Sequence, residues 1–225
     1  MERRAFLKAS ALSAGGLAAA PVASASSPLR VQVLMFDGVE EQDFAGPVEV
    51  LGLVGKMTGR VVVSQVTTGR PAVVTCTYGT RVDVRQGWSP RDADVLVVPG
   101  GGYTDRTGPG VHRVNADRRF LAALASAEAL PVGVCTGVMV LSAAGLTKGR
   151  PATTHSGAKA DLAAQGATVV DARVVDDGTL ITAGGITSGL DAALWVVERF
   201  LGAQAAQRAE TVLEYERRGT VWRKS

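Results

Sequence analysis

The chain has 225 residues, of which 46% are hydrophobic and 20% are charged, and its formal net charge is +3. This length and composition suit one medium-sized folded domain and exclude wholesale disorder. No stripe of Lys and Arg with interleaved aromatic residues occurs, so nothing favours nucleic-acid binding. The two cysteines and two histidines form neither a CxxC nor an HExxH motif. We therefore expect no zinc site, no other metal and no cofactor.

The N-terminus has the three parts of an export signal. Arg3 and Arg4 begin a motif that resembles the twin-arginine signal, which exports folded proteins and would engage that machinery transiently. A short apolar run follows and ends in the small-residue sequence Ala-Ser-Ala at 23–25. We predict a cleaved leader at 1–25, one domain at 26–225 and a periplasmic or extracellular location. An ordinary N-terminal tail or an uncleaved anchor is the alternative.

Short apolar runs alternate with helical patterns along the rest of the chain. In chain order, the predicted elements are a strand at 31–36, a helix at 43–57, a strand at 61–66, a hairpin at 72–84, a strand at 94–98, a helix at 115–127, a strand at 131–134, a helix at 136–144, a strand at 152–154, a helix at 158–165, a hairpin at 172–182 and helices at 188–201 and 203–217. Such alternation predicts an α/β domain with a mostly parallel sheet that is covered on both faces.

The strongest local signal surrounds Cys135, between a predicted strand and a predicted helix. With Gly133 and Gly137 it forms a G-x-C-x-G pattern, which is a nucleophile elbow with Cys in place of Ser. At a helix N-terminus the dipole favours a thiolate, so we expect a lowered thiol pKa. We expect the amide of Thr136 to point toward the same pocket. A buried structural cysteine beside a tight turn is the alternative.

Glycines follow the predicted strand at 94–98, at the same edge of the sheet. Ligands of open α/β sheets bind beyond the carboxyl ends of the strands, where this glycine run lies. The backbone amides of Gly100 and Gly101 are therefore candidates for an oxyanion hole together with Thr136. A flexible connecting loop is the alternative.

Four other side chains are expected near that edge. Asp43 is either the N-cap of the helix that follows it or a proton donor and acceptor beside the thiol. His155 is either a structural histidine, which we favour, or part of the pocket. Ile186 and Thr187 follow the last predicted hairpin and are candidates for the pocket wall.

The remaining cysteine and histidine are given structural interpretations. Cys76 lies in a predicted hairpin and is expected to pack rather than react, although an oxidising compartment permits a disulfide with Cys135. His112 lies in a polar stretch and is expected on the surface.

Taken in order, these motifs resemble the ThiJ/PfpI superfamily over nearly all of the predicted domain. The segments that carry the resemblance are Phe36–Val50, Val98–Gly102, Val134–Gly137, Ala143–Leu146, Ala152–His155 and Gly184–Asp191. Within the superfamily the sequence is most similar to isonitrile hydratases and to the sensor domains of some AraC-type regulators.

The resemblance implies a flavodoxin-like three-layer sandwich and a homodimer. It also implies that Cys135 is the nucleophile and that Asp43 is the acidic residue beside it, which overrides the N-cap interpretation. Gly100, Gly101 and Thr136 match the backbone donors around the nucleophile.

Three departures from the superfamily narrow the function. The peptidase and glyoxalase-like branches usually carry His directly after the nucleophile, where this chain has Thr136. The regulators carry a C-terminal helix-turn-helix domain, which is not expected in a sequence that stops at Ser225. Ser156 stands where hydratases tend to have an aromatic residue, and this affects the fit of the substrate.

Two functions from different classes follow. The first is a hydro-lyase of the isonitrile hydratase type, in which Cys135 forms a thioimidate and Asp43 transfers protons. The second is a non-catalytic or redox-sensing protein whose thiol is oxidised stepwise. A cysteine hydrolase that acts on small amides or carbonyls is a third candidate.

Overall fold

The computed structural model describes residues 27–224 and has a seven-stranded sheet at its centre. In spatial order, the sheet contains β2 (Val61–Val66), β1 (Leu29–Leu34), β5 (Val95–Val98), β6 (Leu130–Val134), β10 (Ile181–Ala183), β9 (Val174–Asp176) and β11 (Trp222–Arg223). The five strands from β2 to β10 are parallel, whereas β9 is antiparallel to β10 and parallel to β11. The predicted leader at 1–25 lies outside the described residues.

Helices cover both faces of this sheet. They are α1 (Glu41–Thr58), α2 (Val111–Ala116), α3 (Arg118–Ala125), α4 (Val138–Ala143), α5 (Lys159–Ala164), α6 (Ser188–Leu201) and α7 (Ala203–Leu213). α1, α6 and α7 pack on one another in one layer, while α2, α3 and α4 pack on one another in the second. Every residue of β5 is buried, as expected for a strand that is covered on both faces. The predicted flavodoxin-like three-layer α/β sandwich is confirmed.

Two small sheets lie apart from the central one. The predicted hairpin at 72–84 forms antiparallel β3 (Ala72–Thr75) and β4 (Arg81–Val84). The amide of Gly38 donates to Thr75 O at 2.8 Å, and the amide of Thr77 donates to Val39 O at 2.9 Å. The hairpin therefore supports the loop that leads into α1 and to Asp43.

Several predicted elements differ in extent. The helix expected at 115–127 is two helices, because the Asp117 side chain accepts a hydrogen bond from Phe120 N at 2.9 Å and caps a new helix. The strand expected at 152–154 is β7 (Pro151–Ala152), which pairs with β8 (Thr168–Val169) outside the central sheet. The last helix ends at Leu213. β8 and β11 were not predicted, because two residues are too few to show a period.

Among residues 27–224, none of the helices combines the length and the apolar character that a membrane span requires.

Close packing of β6 against α4 depends on a glycine. A Cβ atom at Gly133 would lie 2.8 Å from Val138 Cγ2 and 2.9 Å from Leu141 Cδ1. We expect Gly133→Ala to lower the free energy of unfolding by about 1–3 kcal/mol, since the core has no room to adjust without strain. Gly52→Ala is the matched control in α1, where the nearest atom to the new Cβ is 3.7 Å away. Because alanine favours a helix, this control should gain about 0.5–1 kcal/mol. Urea denaturation measures both values, and equal effects of the two substitutions would contradict this account of the packing.

Candidate active site

Cys135 occupies a sharp turn between β6 and α4. Its φ of 56° lies in the left-handed region, which is uncommon and strained for a residue other than glycine. A short 3-10 turn at Cys135–Gly137 leads directly into α4. A Cβ atom at Gly137 would lie only 2.0 Å from Val98 O, so the turn passes tightly over the end of β5. The backbone thus has the strained conformation that the predicted nucleophile elbow requires.

Two buried hydrogen bonds fix this turn on both sides of the nucleophile. The amide of Cys135 donates to Gly184 O at 3.0 Å. The hydroxyl group of Thr154, which is almost fully buried, donates to Cys135 O at 2.7 Å. Thr154 was not predicted as a site residue, although Thr154 precedes His155 in one of the motifs that carry the resemblance.

Asp43 is fully buried beside the thiol. Its Oδ2 accepts a hydrogen bond from the amide of Gly100 at 2.9 Å. Its Oδ1 has no well-aligned donor among residues 27–224, and the Cys135 thiol is the group placed to donate to this carboxyl group. Burial raises the pKa of Asp43 to about 7, although the hydrogen bonds from Gly100 and Cys135 act in the opposite direction. The N-cap alternative is wrong, because α1 begins at Glu41 and Asp43 lies inside its first turn.

The expected lowering of the thiol pKa is also wrong. Burial and, next, the negative charge of Asp43 raise the pKa of Cys135 to about 12. Hydrogen bonds to the sulfur from the amides of Ile186 and Thr136 favour the thiolate but are outweighed. The thiol therefore keeps its proton at neutral pH.

The amides of Gly100 and Gly101 do not form the expected oxyanion hole. The amide of Gly100 is bonded to Asp43, and the amide of Gly101 donates to Thr136 Oγ1 at 3.1 Å. Neither amide is free to act as an oxyanion donor, so they position the acid and the threonine instead. A Cβ atom at Gly100 would lie 2.4 Å from Thr136 Oγ1, which excludes any side chain at this approach. The amides that face the sulfur belong to Thr136 and Ile186.

Ile186 lies on a second strained loop, between β10 and α6. Its φ of 31° is unusual for a β-branched residue and brings its amide to the sulfur of Cys135. Arg173 holds the next residue, since its Nη2 donates to Thr187 Oγ1 at 2.8 Å while its Nε donates to Asp191. Asp191 is nearly fully buried and also accepts a hydrogen bond from the Tyr215 hydroxyl group at 3.1 Å. This supporting network was not predicted, because its members are far apart in the chain.

Three expected pocket residues line one cleft. His155, Ile186 and Thr187 border a cleft of about 450 Å³ at the loop before α6. His155 is half-buried, and its Nδ1 accepts a hydrogen bond from Gly157 N at 3.1 Å, as expected for a structural histidine. The role of this cleft in substrate binding stays a prediction.

The other cysteine and histidine lie away from the thiol. Cys76 is buried near the β3–β4 hairpin and both cysteines are free, so the structure contains no Cys76–Cys135 disulfide. Burial raises the pKa of Cys76 to about 11. The expectation that His112 is simply a surface residue is wrong, because it is half-buried and stacks on the ring of Tyr103. Within the described part of the chain, no group of three or more His, Cys, Asp or Glu residues is arranged to bind a metal.

A family model described as the DJ-1/PfpI family matches residues 29–199. The chain belongs to this family. It is 34% identical to an isonitrile hydratase of Pseudomonas putida, over 83% of this chain and 78% of that protein. It is 31% identical to a deglycase of Pyrococcus abyssi, over 68% of this chain and 89% of that protein. The DJ-1/PfpI fold is also seen in a solved THiJ/PfpI family protein from Pseudomonas syringae, with 30% identity, a TM-score of 0.73 and coverage of 86% and 77% of the two chains.

The raised pKa of Asp43 predicts a cost to stability at neutral and alkaline pH. The folded-state pKa of about 7 lies above the ordinary aspartate value of 3.8. The stabilisation linked to the protonated form is complete below pH 4 and is lost as the pH rises to 7. The free energy of unfolding of Asp43→Asn, minus that of the native protein, should thus grow by up to about 4 kcal/mol from pH 4 to pH 7. It should then level off.

Urea denaturation at each pH measures this difference. The matched control is Asp171→Asn, which changes an exposed carboxyl group whose pKa is lowered by Lys159. It should show no such growth. A difference for Asp43→Asn that stays constant or shrinks with pH would show that the pKa of the carboxyl group is not raised.

Proposed function

We propose that the protein is a cysteine-dependent hydro-lyase of the isonitrile hydratase type, which converts an isonitrile to an N-substituted formamide. The observation that carries the proposal is the buried thiol of Cys135 in an elbow, paired with a buried carboxyl group whose pKa is about 7. The relative from Pseudomonas putida supports the same reaction. Thr136, which stands where the peptidase and glyoxalase-like branches usually carry His, argues against those branches.

In the first step the thiol adds to the terminal carbon of the isonitrile. The sulfur of Cys135 forms a bond to that carbon while the thiol proton passes to the Asp43 carboxylate. Asp43 then delivers the proton to the same carbon, and the product is a thioimidate, R–N=CH–S–enzyme. Because the high pKa of the thiol keeps the sulfur protonated, the sulfur becomes nucleophilic only as the base removes its proton during bond formation.

In the second step water releases the product. The oxygen of the water molecule bonds to the thioimidate carbon while Asp43 takes one of the water protons. Asp43 then passes this proton to the nitrogen. The C–S bond of the tetrahedral intermediate then breaks, while the remaining hydroxyl proton returns to the sulfur through Asp43. The sum is one isonitrile and one water converted to R–NH–CHO, with the Cys135 thiol regenerated. The amides of Thr136 and Ile186, which face the sulfur, stabilise the negative charge that develops there.

A carbonyl substrate is the second candidate. Deglycases among the relatives, at 31% identity over 68% of this chain for the Pyrococcus abyssi protein, favour it. The same thiol and carboxyl group would add to a small carbonyl carbon in place of the isonitrile carbon. The redox-sensing alternative is less favoured, since oxidation requires a thiolate and burial keeps this thiol protonated.

We also propose export through the twin-arginine route and assembly as a homodimer. The leader motif at Arg3 and Arg4 supports export, and the resemblance to the family supports the dimer. Fractionation of expressing cells tests the first proposal, and light scattering on the purified protein tests the second. Protein that stays in the cytoplasm, or a mass of one chain, would contradict them respectively.

Turnover of a small alkyl isonitrile, followed by the appearance of the formamide, tests the main proposal. We expect Cys135→Ala to abolish turnover and Asp43→Asn to reduce it by about 10²–10⁴-fold, because proton transfer is lost. Cys76→Ala is the matched control, since it removes the other buried cysteine and should retain activity. For the native protein, kcat/KM should rise with pH through about 7 and then stay level, because Asp43 must be ionised to accept the thiol proton.

Formamide production that persists in Cys135→Ala would contradict the proposed chemistry. Absence of formamide, together with Cys135-dependent turnover of a small aldehyde adduct, would select the carbonyl candidate instead.

A further inference from the structure

A second cleft, of about 290 Å³, lies between α2, α4, α5 and the loop that follows β5. Cys135 is not among its lining residues. Its lining includes Tyr103, Arg106, His112, Asn115, Met139 and Asp161. This cleft has no part in the proposed reaction.

Asn115 lines this cleft and carries an unsatisfied acceptor. Its side-chain oxygen Oδ1 is buried and has no hydrogen-bond partner among residues 27–224. A buried polar atom without a partner costs about 1–3 kcal/mol, so such an atom in a cleft favours a ligand that donates to it. Asn115 lies one helical turn after His112 on α2, and both residues line the cleft.

The neighbouring contacts add acceptors rather than donors. His112 Nε2 lies 2.7 Å from Tyr103 O, and because a carbonyl oxygen only accepts, Nε2 carries the hydrogen. In the tautomer with hydrogen on Nε2 alone, Nδ1 keeps an acceptor lone pair. The Tyr103 hydroxyl group donates to Asp161 Oδ2, which orients the carboxyl group and leaves its Oδ1 without this partner.

Two aromatic rings and a methionine of α4 also line the cleft. Tyr103 and His112 stack with their centroids 5.1 Å apart, and the buried Met139 supplies an apolar surface. Aromatic faces attract cations, and a carboxylate adds a full negative charge.

We propose that this cleft binds a small primary amine in its ammonium form, at a site separate from Cys135. An ammonium group has three N–H donors, which match the acceptors on Asn115, Asp161 and His112. Its short alkyl chain would lie against Met139. Arg106 also borders the cleft, but its side chain is exposed, so solvent and salt screen its charge.

Titration of the ¹⁵N-labelled protein with n-propylammonium chloride, followed by heteronuclear NMR, tests this site. We expect saturable shifts at residues of α2, α5 and the loop after β5. Asp161→Asn keeps the shape of the side chain but removes its charge, and it should weaken binding at least tenfold. Arg106→Gln removes a like charge from an exposed position and should strengthen binding a few-fold at low salt. Asp171→Asn, an exposed acid outside this cleft, is the matched control and should bind as the native protein does.

Two further probes separate the donors from the charge and the alkyl chain. Tetramethylammonium has the charge without N–H groups, and propan-1-ol has the chain without the charge, so both should bind at least tenfold more weakly. The absence of saturable shifts, equal binding of tetramethylammonium, or unchanged affinity in Asp161→Asn would overturn the proposal. If Asp161→Asn does not fold, Arg106→Gln still decides the sign of the charge effect, and weaker binding in that variant would overturn the proposal.

Discussion

In the candidate site a carboxyl group and a thiol occupy a small buried volume, where burial opposes the ionisation of both. Burial raises the pKa of Asp43 and of Cys135, and the negative charge of Asp43 raises the pKa of the thiol further. At neutral pH the pair therefore carries at most about one negative charge, which resides on the carboxyl group rather than on the sulfur. Chemistry at the sulfur then requires that its proton move to Asp43 during bond formation.

The fold brings this pair together from elements that are distant in sequence. The β3–β4 hairpin supports the loop before α1. β5 ends two residues before Gly100, whose amide bonds to Asp43, and β6 ends one residue before Cys135. β10 ends at the loop whose Ile186 amide reaches the sulfur. Neighbouring parallel strands end at the same edge, so the sheet order makes this convergence possible.

Backbone strain occurs at Cys135, which carries the sulfur, and at Ile186, whose amide faces it. Cys135 and Ile186 both have positive φ, and side chains from other parts of the chain hold each of these turns. Thr154 fixes the carbonyl group of Cys135, while Arg173 and Asp191 fix the loop of Ile186. These three contacts come from outside the elbow. They stabilise turns whose own backbone conformation is unfavourable.

The sequence predicted features that depend on local patterns. The parallel sheet, the elbow at Cys135 and the helix that contains Asp43 follow from short apolar runs and glycine positions, and the structure contains all three. It did not predict the direction of the thiol pKa shift, because burial and the distance to Asp43 are tertiary properties that outweigh a short helix dipole. The engaged amides of Gly100 and Gly101 were missed for the same reason, since their partners lie 57 and 35 residues away.

The central claim is that the Cys135 thiol keeps its proton until Asp43 takes it, and direct titration of the thiol tests this most simply. Thiolate absorbance near 240 nm (an approximate wavelength) would be followed with pH, and the signal of Cys135→Ala would be subtracted to remove Cys76. We predict no thiolate from Cys135 below about pH 9, and a lower pKa in Asp43→Asn, which lacks the opposing charge. A thiolate already present at pH 7 in the native protein would contradict the account, because the proton that Asp43 is proposed to take would then be absent.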